Sequence, residues 1–277
     1  MDFVFRRSYR GPIKLAVFDW SGTTIDYGCL APTVVFIDVF KQRGVESTIE
    51  QSRAPMGLMK KDHIRAISRH DDVVAQWRKV HGQDCQESDV EDMFEKDFKR
   101  QQLECIANYT QLIPGTLECI AELKRRGIKI GSTTGYFTEA MQINLREAAK
   151  QGYSPDSNFC ASDVPAGRPE PWMLLANMQA TRTFPPEAVI KIGDTQPDVG
   201  EGLNAGAWTI GVSKTGNEVG LSEEELGQLT EQEQDARIAR AERTLRQCGA
   251  HYVVEGIKDV PRIVDLVHER LRVGERP

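Results

Sequence analysis

The sequence of 277 residues predicts an α/β fold, in which an all-helical cap domain is inserted into a Rossmann-like core with a parallel sheet. After residue 114, short apolar segments alternate with helical segments, and this alternation favours a parallel sheet covered by helices on both faces. A further apolar segment ends at Asp19, and the long stretch after it contains no convincing strand. We therefore predict a core made of 1–27 and 107–277, and a helical cap domain at 28–106.

The positions of strands and helices follow from apolar runs and turn residues. Strands are predicted at 14–19, 128–133, 189–193 and 208–212, with a further short one at 252–254. In the cap, helices are predicted at 31–43, from Pro55 onward and over much of 71–107. Because proline is tolerated in the first turn of a helix, Met56, Lys60 and His63 are predicted to share one helical face.

Composition and charge argue against several classes of function. The net charge of −6 and the lack of a basic stripe argue against nucleic-acid binding. No segment approaches the roughly 20 apolar residues of a membrane span, and residues 1–11 lack the apolar core of a secretory signal. The six cysteines are scattered, without a Cys-x-x-Cys pair or zinc-ligand spacing. We therefore expect a cytoplasmic protein with reduced thiols that binds neither nucleic acid nor a membrane.

Charged and hydroxyl side chains follow the predicted strands. Asp19 follows the first strand, Thr134 follows the second, and Asp194 and Asp198 follow the third. Arg168 lies in the loop before that third strand. Ligands of parallel α/β sheets bind at this edge. Each feature alone is commonly a turn or surface residue, but together and in this order they predict an anion-binding active site.

A divalent cation is expected at this site. Asp19, Asp194 and Asp198 would repel one another and an anionic substrate, and a hard cation removes that conflict. Mg²⁺ suits a site of carboxylate, carbonyl and water oxygens. Together with Arg168, it would stabilise the charge that develops when a carboxylate attacks phosphorus. Mg²⁺ is therefore the predicted cofactor.

The order of these motifs resembles that of the haloacid dehalogenase superfamily of phosphotransferases. Five strings are similar, more specifically, to the phosphonatase family within it: FDWSGTTIDYG, PMGLMKKDH, IKIGSTTGY, DVPAGRPEPWM and KIGDTQPD. The resemblance covers nearly the whole chain. PMGLMK is its most specific element, because a generic superfamily member has no reason to keep a lysine at that place in the cap. An isolated helical lysine is usually solvated, and we interpret the neighbouring Lys61 in that way.

The resemblance implies a role for each matching residue. Asp19 matches the nucleophile, and Lys60 matches a lysine that forms a Schiff base with the substrate aldehyde. The implied metal ligands are Asp19, the Ser21 carbonyl, Asp194 and, in support, Asp198. The residues implied to contact phosphate or substrate are Thr134, Arg168, Met56, Cys29 and Tyr136, and His63 would transfer protons. The implied reaction hydrolyses the carbon–phosphorus bond of the small phosphonate phosphonoacetaldehyde, through the Schiff base and an aspartyl phosphate. The resemblance also implies a homodimer.

Position 21 separates the competing functions. Phosphomonoesterases of the superfamily usually carry a second aspartate there, which protonates a leaving alkoxide, whereas an enamine leaving group does not require that acid. This chain has Ser21, where phosphonatases most often carry alanine, so the effect of the hydroxyl stays open. The group that activates the hydrolytic water also stays open, and His63 and Cys29 have packing roles as alternatives. A capped Mg²⁺-dependent phosphomonoesterase of a small metabolite is the alternative enzyme, and a non-catalytic regulatory protein is a third hypothesis.

Overall fold

Parallel strands build one sheet at the centre of the core. The computed structural model describes residues 8–277, and the strands of this part are β1 (Leu15–Phe18), β2 (Lys129–Thr134), β3 (Ser157–Cys160), β4 (Val189–Gly193), β5 (Trp208–Val212) and β6 (Tyr252–Val254). Their order is β3-β2-β1-β4-β5-β6, and every pairing is parallel. The predicted α/β class is therefore confirmed. β2 and β3 lie on one side of β1, and β4, β5 and β6 lie on the other. The loops after β1, β2 and β4 therefore meet at the carboxyl edge of the sheet, where the direction of the strand order changes.

The sequence prediction missed β3. Its residues Ser-Asn-Phe-Cys show little apolar alternation, and the strand pairs only with β2 at the edge of the sheet. An edge strand of this kind depends on its neighbour more than on its own pattern. The other five predicted segments each contain a strand. Residues 1–7 of the predicted core lie outside the described residues.

Residues 28–106, all of which the structure describes, contain helices and no strand. These helices are α1 (Leu30–Gln42), α2 (Ile49–Arg53), α3 (Lys60–Ile67), α4 (Asp71–His81), α5 (Glu87–Asp92) and α6 (Lys99–Cys105), with a π-helical segment, Met93–Phe98, between the last two. Their apolar faces form a cluster that includes Phe36, Trp77 and Phe98, and that also takes in Tyr136 and Phe137 from the loop after β2. The cap therefore packs directly on the core at that loop. The boundaries at 27/28 and 106/107 stay a prediction.

The predicted helix from Pro55 onward was wrong in its first residues. Helix α3 begins only at Lys60, and the residues before it form turns. Gly57 has a φ angle of +92°, which a right-handed helix does not allow, so no α-helix can include this residue. Met56 consequently approaches the site from a loop and not from the helical turn before Lys60.

Helices of the core cover both faces of the sheet. They are α7 (Thr116–Arg125), α8 (Thr138–Lys150), α9 (Trp172–Ala180), α10 (Gln196–Asn204), α11 (Glu223–Gly227), α12 (Glu231–Gln247) and α13 (Val260–Arg272). Successive residues of a strand point to opposite faces. Accordingly, Ala16 and Phe18 of β1 belong to one apolar cluster, while Leu15 and Val17 belong to another. This double burial explains why β1 is apolar throughout until Asp19.

Candidate active site

One small cavity lies between the carboxyl edge of the sheet and the cap. Eight residues singled out from the sequence line it: Asp19, Ser21, Cys29, Met56, Lys60, Thr134, Tyr136 and Arg168. Gly57, Gly135 and Thr195 complete the lining. The cavity has a volume of about 20 Å³, which is room for roughly one water molecule. The cap is therefore closed on the core in this structure.

Glycines allow this close approach. A β-carbon on Gly57 of the cap would lie 2.2 Å from Thr195 Oγ1, and one on Gly135 would lie 2.4 Å from the Leu58 carbonyl oxygen. Real β-carbons essentially never come so close to another heavy atom. The loop between α2 and α3 thus contacts two core loops through positions that accept only glycine.

Asp19 is fixed at the end of β1. Its backbone N–H donates to the carbonyl oxygen of Ile192 at 2.9 Å, which continues the parallel pairing one residue beyond the strand. Its carboxylate oxygen Oδ1 accepts a hydrogen bond from Arg168 Nη2 at 2.7 Å. Burial raises the pKa of Asp19, and the guanidinium of Arg168 opposes that shift. The carboxylate is therefore held in one orientation at the wall of the cavity.

Arg168 belongs to a buried network that contains a second cation, Lys191. Nη2 of Arg168 and Nζ of Lys191 both donate to Thr133 Oγ1, each at 2.7 Å. Both cations also pair with Asp198 Oδ1, at 3.0 and 2.8 Å, and with Glu201 Oε2, at 3.2 and 3.1 Å. The guanidinium thus has a fixed position before any ligand binds.

Three carboxylates lie together beside this network. Asp19, Asp194 and Asp198 each offer an oxygen, and these oxygens are within 4.8 Å of one another. The Asp194 oxygens are oriented by Thr23 Oγ1, which donates to Oδ1 at 2.9 Å, and by the backbone N–H of Asn217, which donates to Oδ2 at 2.8 Å. These three carboxylates could hold a metal ion.

The buried charges do not balance without a further cation. When all are ionised, four carboxylates and two cations carry a net charge of −2: Asp19, Asp194, Asp198 and Glu201 against Arg168 and Lys191. Burial, and then the charges of Asp19 and Asp198, raise the pKa of Asp194 well above its ordinary value. Burial also opposes ionisation of Asp198, but Arg168 and Lys191 outweigh it and leave the pKa of Asp198 lowered. Without a further cation, Asp194 therefore keeps its proton more readily than Asp198, and a bound cation would favour its ionised form.

Lys60 is buried at the first position of α3. Its side chain lies over aromatic rings, with Nζ 4.5 Å from the ring centroid of Tyr136 and 5.7 Å from that of Phe36. Lys61 forms ion pairs with Glu87 and Glu91 on the cap surface. Burial lowers the pKa of Lys60, which favours the neutral, nucleophilic amine.

His63 follows Lys60 by three residues in α3 and does not line the cavity. Its ring stacks on Phe36, with 3.6 Å between centroids, and its Nε2 is 2.8 Å from the carbonyl oxygen of Ser52. A carbonyl oxygen can only accept, so Nε2 carries the proton and donates. Burial, and then the charge of Lys60, lower the pKa of His63 well below its ordinary value. Nδ1 is left without a hydrogen-bond partner among the described residues.

Another part of the cavity wall contains Ser21, Cys29 and Tyr136. Burial raises the pKa of the Cys29 thiol and that of the Tyr136 hydroxyl well above their ordinary values, so both groups keep their protons. The Ser21 hydroxyl lies beside Tyr136 and beside Asp26, whose pKa burial raises to about 7. Asp26 accepts the backbone N–H groups of Leu30 and Ala31 at the start of α1.

The model of the haloacid dehalogenase-like hydrolase family matches residues 13–206, and a second model of that group matches residues 165–259. A phosphonoacetaldehyde hydrolase of Syntrophobacter fumaroxidans is 46% identical over 99% of both chains, and one of Bacillus cytotoxicus is 42% identical over 93% of this chain and 97% of the other. The chain belongs to the phosphonoacetaldehyde hydrolase family of haloacid dehalogenase-like hydrolases. It is accordingly a hydrolase.

Two proteins called phosphonoacetaldehyde hydrolase-like are also similar to this chain. One of Syntrophobacter fumaroxidans is 47% identical over 99% of both chains. The crystal structure of another, from Oleispira antarctica, is 39% identical, covers 100% of both chains and has a TM-score of 0.97. A putative beta-phosphoglucomutase from Bacteroides vulgatus, at 18% identity and a TM-score of 0.64, shares the fold. None of the helices in residues 8–277 is long and apolar enough to cross a membrane.

Sequence reasoning missed three members of the buried network in this phosphonoacetaldehyde hydrolase family member. Thr133, and not Thr134, accepts from both cations, while Thr134 Oγ1 accepts the N–H of Tyr136 at 3.2 Å. Lys191 and Glu201 were also overlooked. A lysine in the middle of the apolar strand Val-Ile-Lys-Ile-Gly was the available signal, because a charged residue there must find buried partners.

Proposed function

We propose that this chain hydrolyses the carbon–phosphorus bond of phosphonoacetaldehyde to acetaldehyde and phosphate. The observation that carries the proposal is the placement of a buried lysine and a buried carboxylate, Lys60 and Asp19, on the wall of one cavity. A carboxylate nucleophile serves many phosphoryl transfers, but a desolvated amine beside it is useful chiefly when the substrate also carries a carbonyl group. The names of several relatives over nearly the whole chain support the same substrate.

Lys60 provides the electron sink that carbon–phosphorus cleavage needs. Its neutral amine adds to the aldehyde carbonyl, and loss of water gives an iminium ion. Asp19 then forms a bond to phosphorus as the carbon–phosphorus bond breaks, and the electron pair of that bond moves into the iminium to give an enamine. Protonation at carbon and hydrolysis of the imine release acetaldehyde and regenerate Lys60. Water cleaves the aspartyl phosphate to phosphate and free Asp19.

The fixed cations support the attack on phosphorus. Arg168 donates to Asp19 and is locked by Asp198 and Glu201, so its guanidinium is already oriented toward the place where the phosphonate oxygens would lie. Thr134 lies on the same wall, and we propose that it contacts the phosphonate together with Arg168. Met56 would contact the two-carbon part of the substrate.

The residues present fit Mg²⁺. A net buried charge of −2 is what a divalent cation neutralises, and the oxygen-only donor set suits magnesium. We propose that Asp19, the Ser21 carbonyl and Asp194 hold the ion, with Asp198 in a supporting position because it is engaged by Arg168 and Lys191. When bound, Mg²⁺ supplies positive charge to the phosphonate oxygens.

Proton transfer is assigned to the groups around Lys60. Burial keeps His63 neutral, and its unpartnered Nδ1 is the atom we propose for exchange of a proton with the Lys60 region. Cys29 and Tyr136 keep their protons at neutral pH and would donate hydrogen bonds toward the substrate. Ser21 replaces no required acid, because the leaving enamine takes its proton at carbon.

Borohydride trapping tests the proposal. Borohydride reduces an imine to a stable amine, so substrate with borohydride should inactivate the wild type and label the peptide that contains Lys60. Lys60→Arg, which keeps the charge but forms no imine, should show neither effect, and Lys61→Arg should behave as the wild type because Lys61 is ion-paired on the cap surface. Turnover of simple phosphate esters without any effect of borohydride would refute the proposal and favour a phosphomonoesterase.

We also propose a homodimer in the cytoplasm, as the resemblance to the family implies. The six cysteines all lie within the described residues and are free, which supports a reducing compartment. Light scattering on a size-exclusion column would test the dimer, because a monomer mass at micromolar concentration would contradict it.

A further inference from the structure

Arg53, the last residue of α2, connects the cap to the core. Its Nη1 donates to the carbonyl oxygen of Gly28 at 2.9 Å and to Asn217 Oδ1 at 3.1 Å. Its Nη2 donates to the carbonyl oxygen of Gly220 at 2.9 Å. One guanidinium therefore holds both the linker into the cap and the core loop 213–220.

Asn217 carries this contact on to the carboxylate site. Its Nδ2 donates back to the carbonyl oxygen of Arg53 at 3.2 Å, so the two residues form a reciprocal pair. Its backbone N–H donates to Asp194 Oδ2 at 2.8 Å. Asn217 is only 5% exposed, so these bonds are shielded from water. A continuous path of hydrogen bonds thus runs from the cap to Asp194, one of the three clustered carboxylates.

The path exists in the closed arrangement of cap and core. The cavity of about 20 Å³ is too small for a phosphonate of several heavy atoms, so a substrate enters only when the cap moves away from the core. Arg53 lies on the cap and its acceptors at Asn217 and Gly220 lie on the core. Cap movement therefore breaks these bonds and frees residues 217–220 from the cap, whereas Thr215, earlier in the loop, stays bonded to the Gly22 carbonyl oxygen within the core.

We propose that Arg53 is a positioning residue that orders Asn217, and through it Asp194, when the cap closes. Thr23 holds Asp194 Oδ1 in either arrangement, but Oδ2 has its ordered partner, the Asn217 N–H, only in the closed one, which couples metal binding to cap closure. The coupling to metal rests on the proposed function, whereas the ordering of Asn217 does not. Hydrogen-bond partners of metal ligands commonly change metal affinity by about 10–100-fold, and Arg53 acts one residue further away.

Magnesium titration calorimetry on the whole protein tests the coupling. Arg53→Met should raise the dissociation constant for Mg²⁺ by about 3–10-fold, below the range for a direct partner of a ligand. Arg43→Met is the matched control, because Arg43 is also a cap arginine but pairs with Asp97 inside the cap. It should leave the Mg²⁺ affinity unchanged within about twofold. Asn217→Ala should weaken Mg²⁺ binding like Arg53→Met, and the double variant should add little to either single one.

Hydrogen exchange decides the ordering step independently. The Asn217 amide donates to Asp194, so its exchange rate reports that bond directly. Arg53→Met should increase this rate by at least about fivefold, while Arg43→Met should not change it. Unchanged exchange in Arg53→Met, or an equal increase in both variants, would overturn the proposal. If the wild type binds no Mg²⁺, the proposed metal site fails, and the exchange result alone then decides the role of Arg53.

Discussion

Replacing Lys191 by methionine removes one of the two cations of the buried carboxylate network and keeps about the same side-chain volume. Nζ of Lys191 contacts Thr133, Asp198 and Glu201, at 2.7, 2.8 and 3.1 Å, and the lysine is 1% exposed. The substitution leaves both carboxylates buried with one cation, Arg168, in place of two. Breaking a buried pair by removing one partner costs about 3–5 kcal/mol. We expect the free energy of unfolding of Lys191→Met to fall by that amount.

Urea denaturation followed by circular dichroism, with the protein free of Mg²⁺, measures this loss. Lys129→Met is the matched control, because Lys129 is also a strand lysine but is exposed and donates to a neutral acceptor, the carbonyl oxygen of Thr181. Its substitution should cost about 1 kcal/mol or less. A loss below about 1 kcal/mol for Lys191→Met, with an unchanged slope against urea, would refute the argument that two cations are needed under the site.

Two further outcomes are expected from the geometry around the cavity. The rate of borohydride trapping at Lys60 should rise with pH through a pKa below 10.5, because burial lowers the pKa of Lys60 in the folded state and the free amine is the reacting form. The same shift should make the free energy of unfolding rise with pH between the folded-state and unfolded-state pKa values of Lys60. An inflection of the trapping rate at or above pH 10.5 would contradict both expectations. Gly57→Ala should lower kcat/KM by about tenfold or more in steady-state assays, since its β-carbon would meet Thr195 on closure. Gly82→Ala introduces the same left-handed strain at φ +76° with no atom within 4 Å, and should change only stability, by about 1 kcal/mol. Equal effects of the two substitutions on kcat/KM would contradict a role for close packing at Gly57.

The amino-acid pattern is sufficient to predict five of the six strands of the described sheet and most of the reactive groups. β1 is a continuous apolar run and β4 is apolar apart from Lys191, since both faces of a parallel sheet are covered, and Asp19 and Asp194 stand out because they directly follow these strands. The helical cap is equally visible, because its apolar residues recur mostly at helical spacing. These features are local, and local sequence encodes them.

For Lys60, the sequence pattern indicates a role, but the fold determines the environment of the side chain. Its place in PMGLMK indicates a role through resemblance, but its burial between Phe36 and Tyr136 depends on how α3 packs against α1 and against the loop after β2. The same dependence explains the error at Pro55. A proline predicts the start of a helix, whereas the contact of Gly57 with Thr195 requires a turn there.

Only the tertiary structure decided which charges share one buried volume. Lys191, Glu201 and Thr133 come from a strand, a helix and another strand, and no spacing in the sequence relates them. The same is true of Arg53 and Asn217, which are 164 residues apart and meet only when the cap lies on the core. Sequence determines which side chains follow each strand, because that is a property of neighbouring residues. Packing determines which of them meet, because electrostatic and hydrogen-bond energies depend on distance in space.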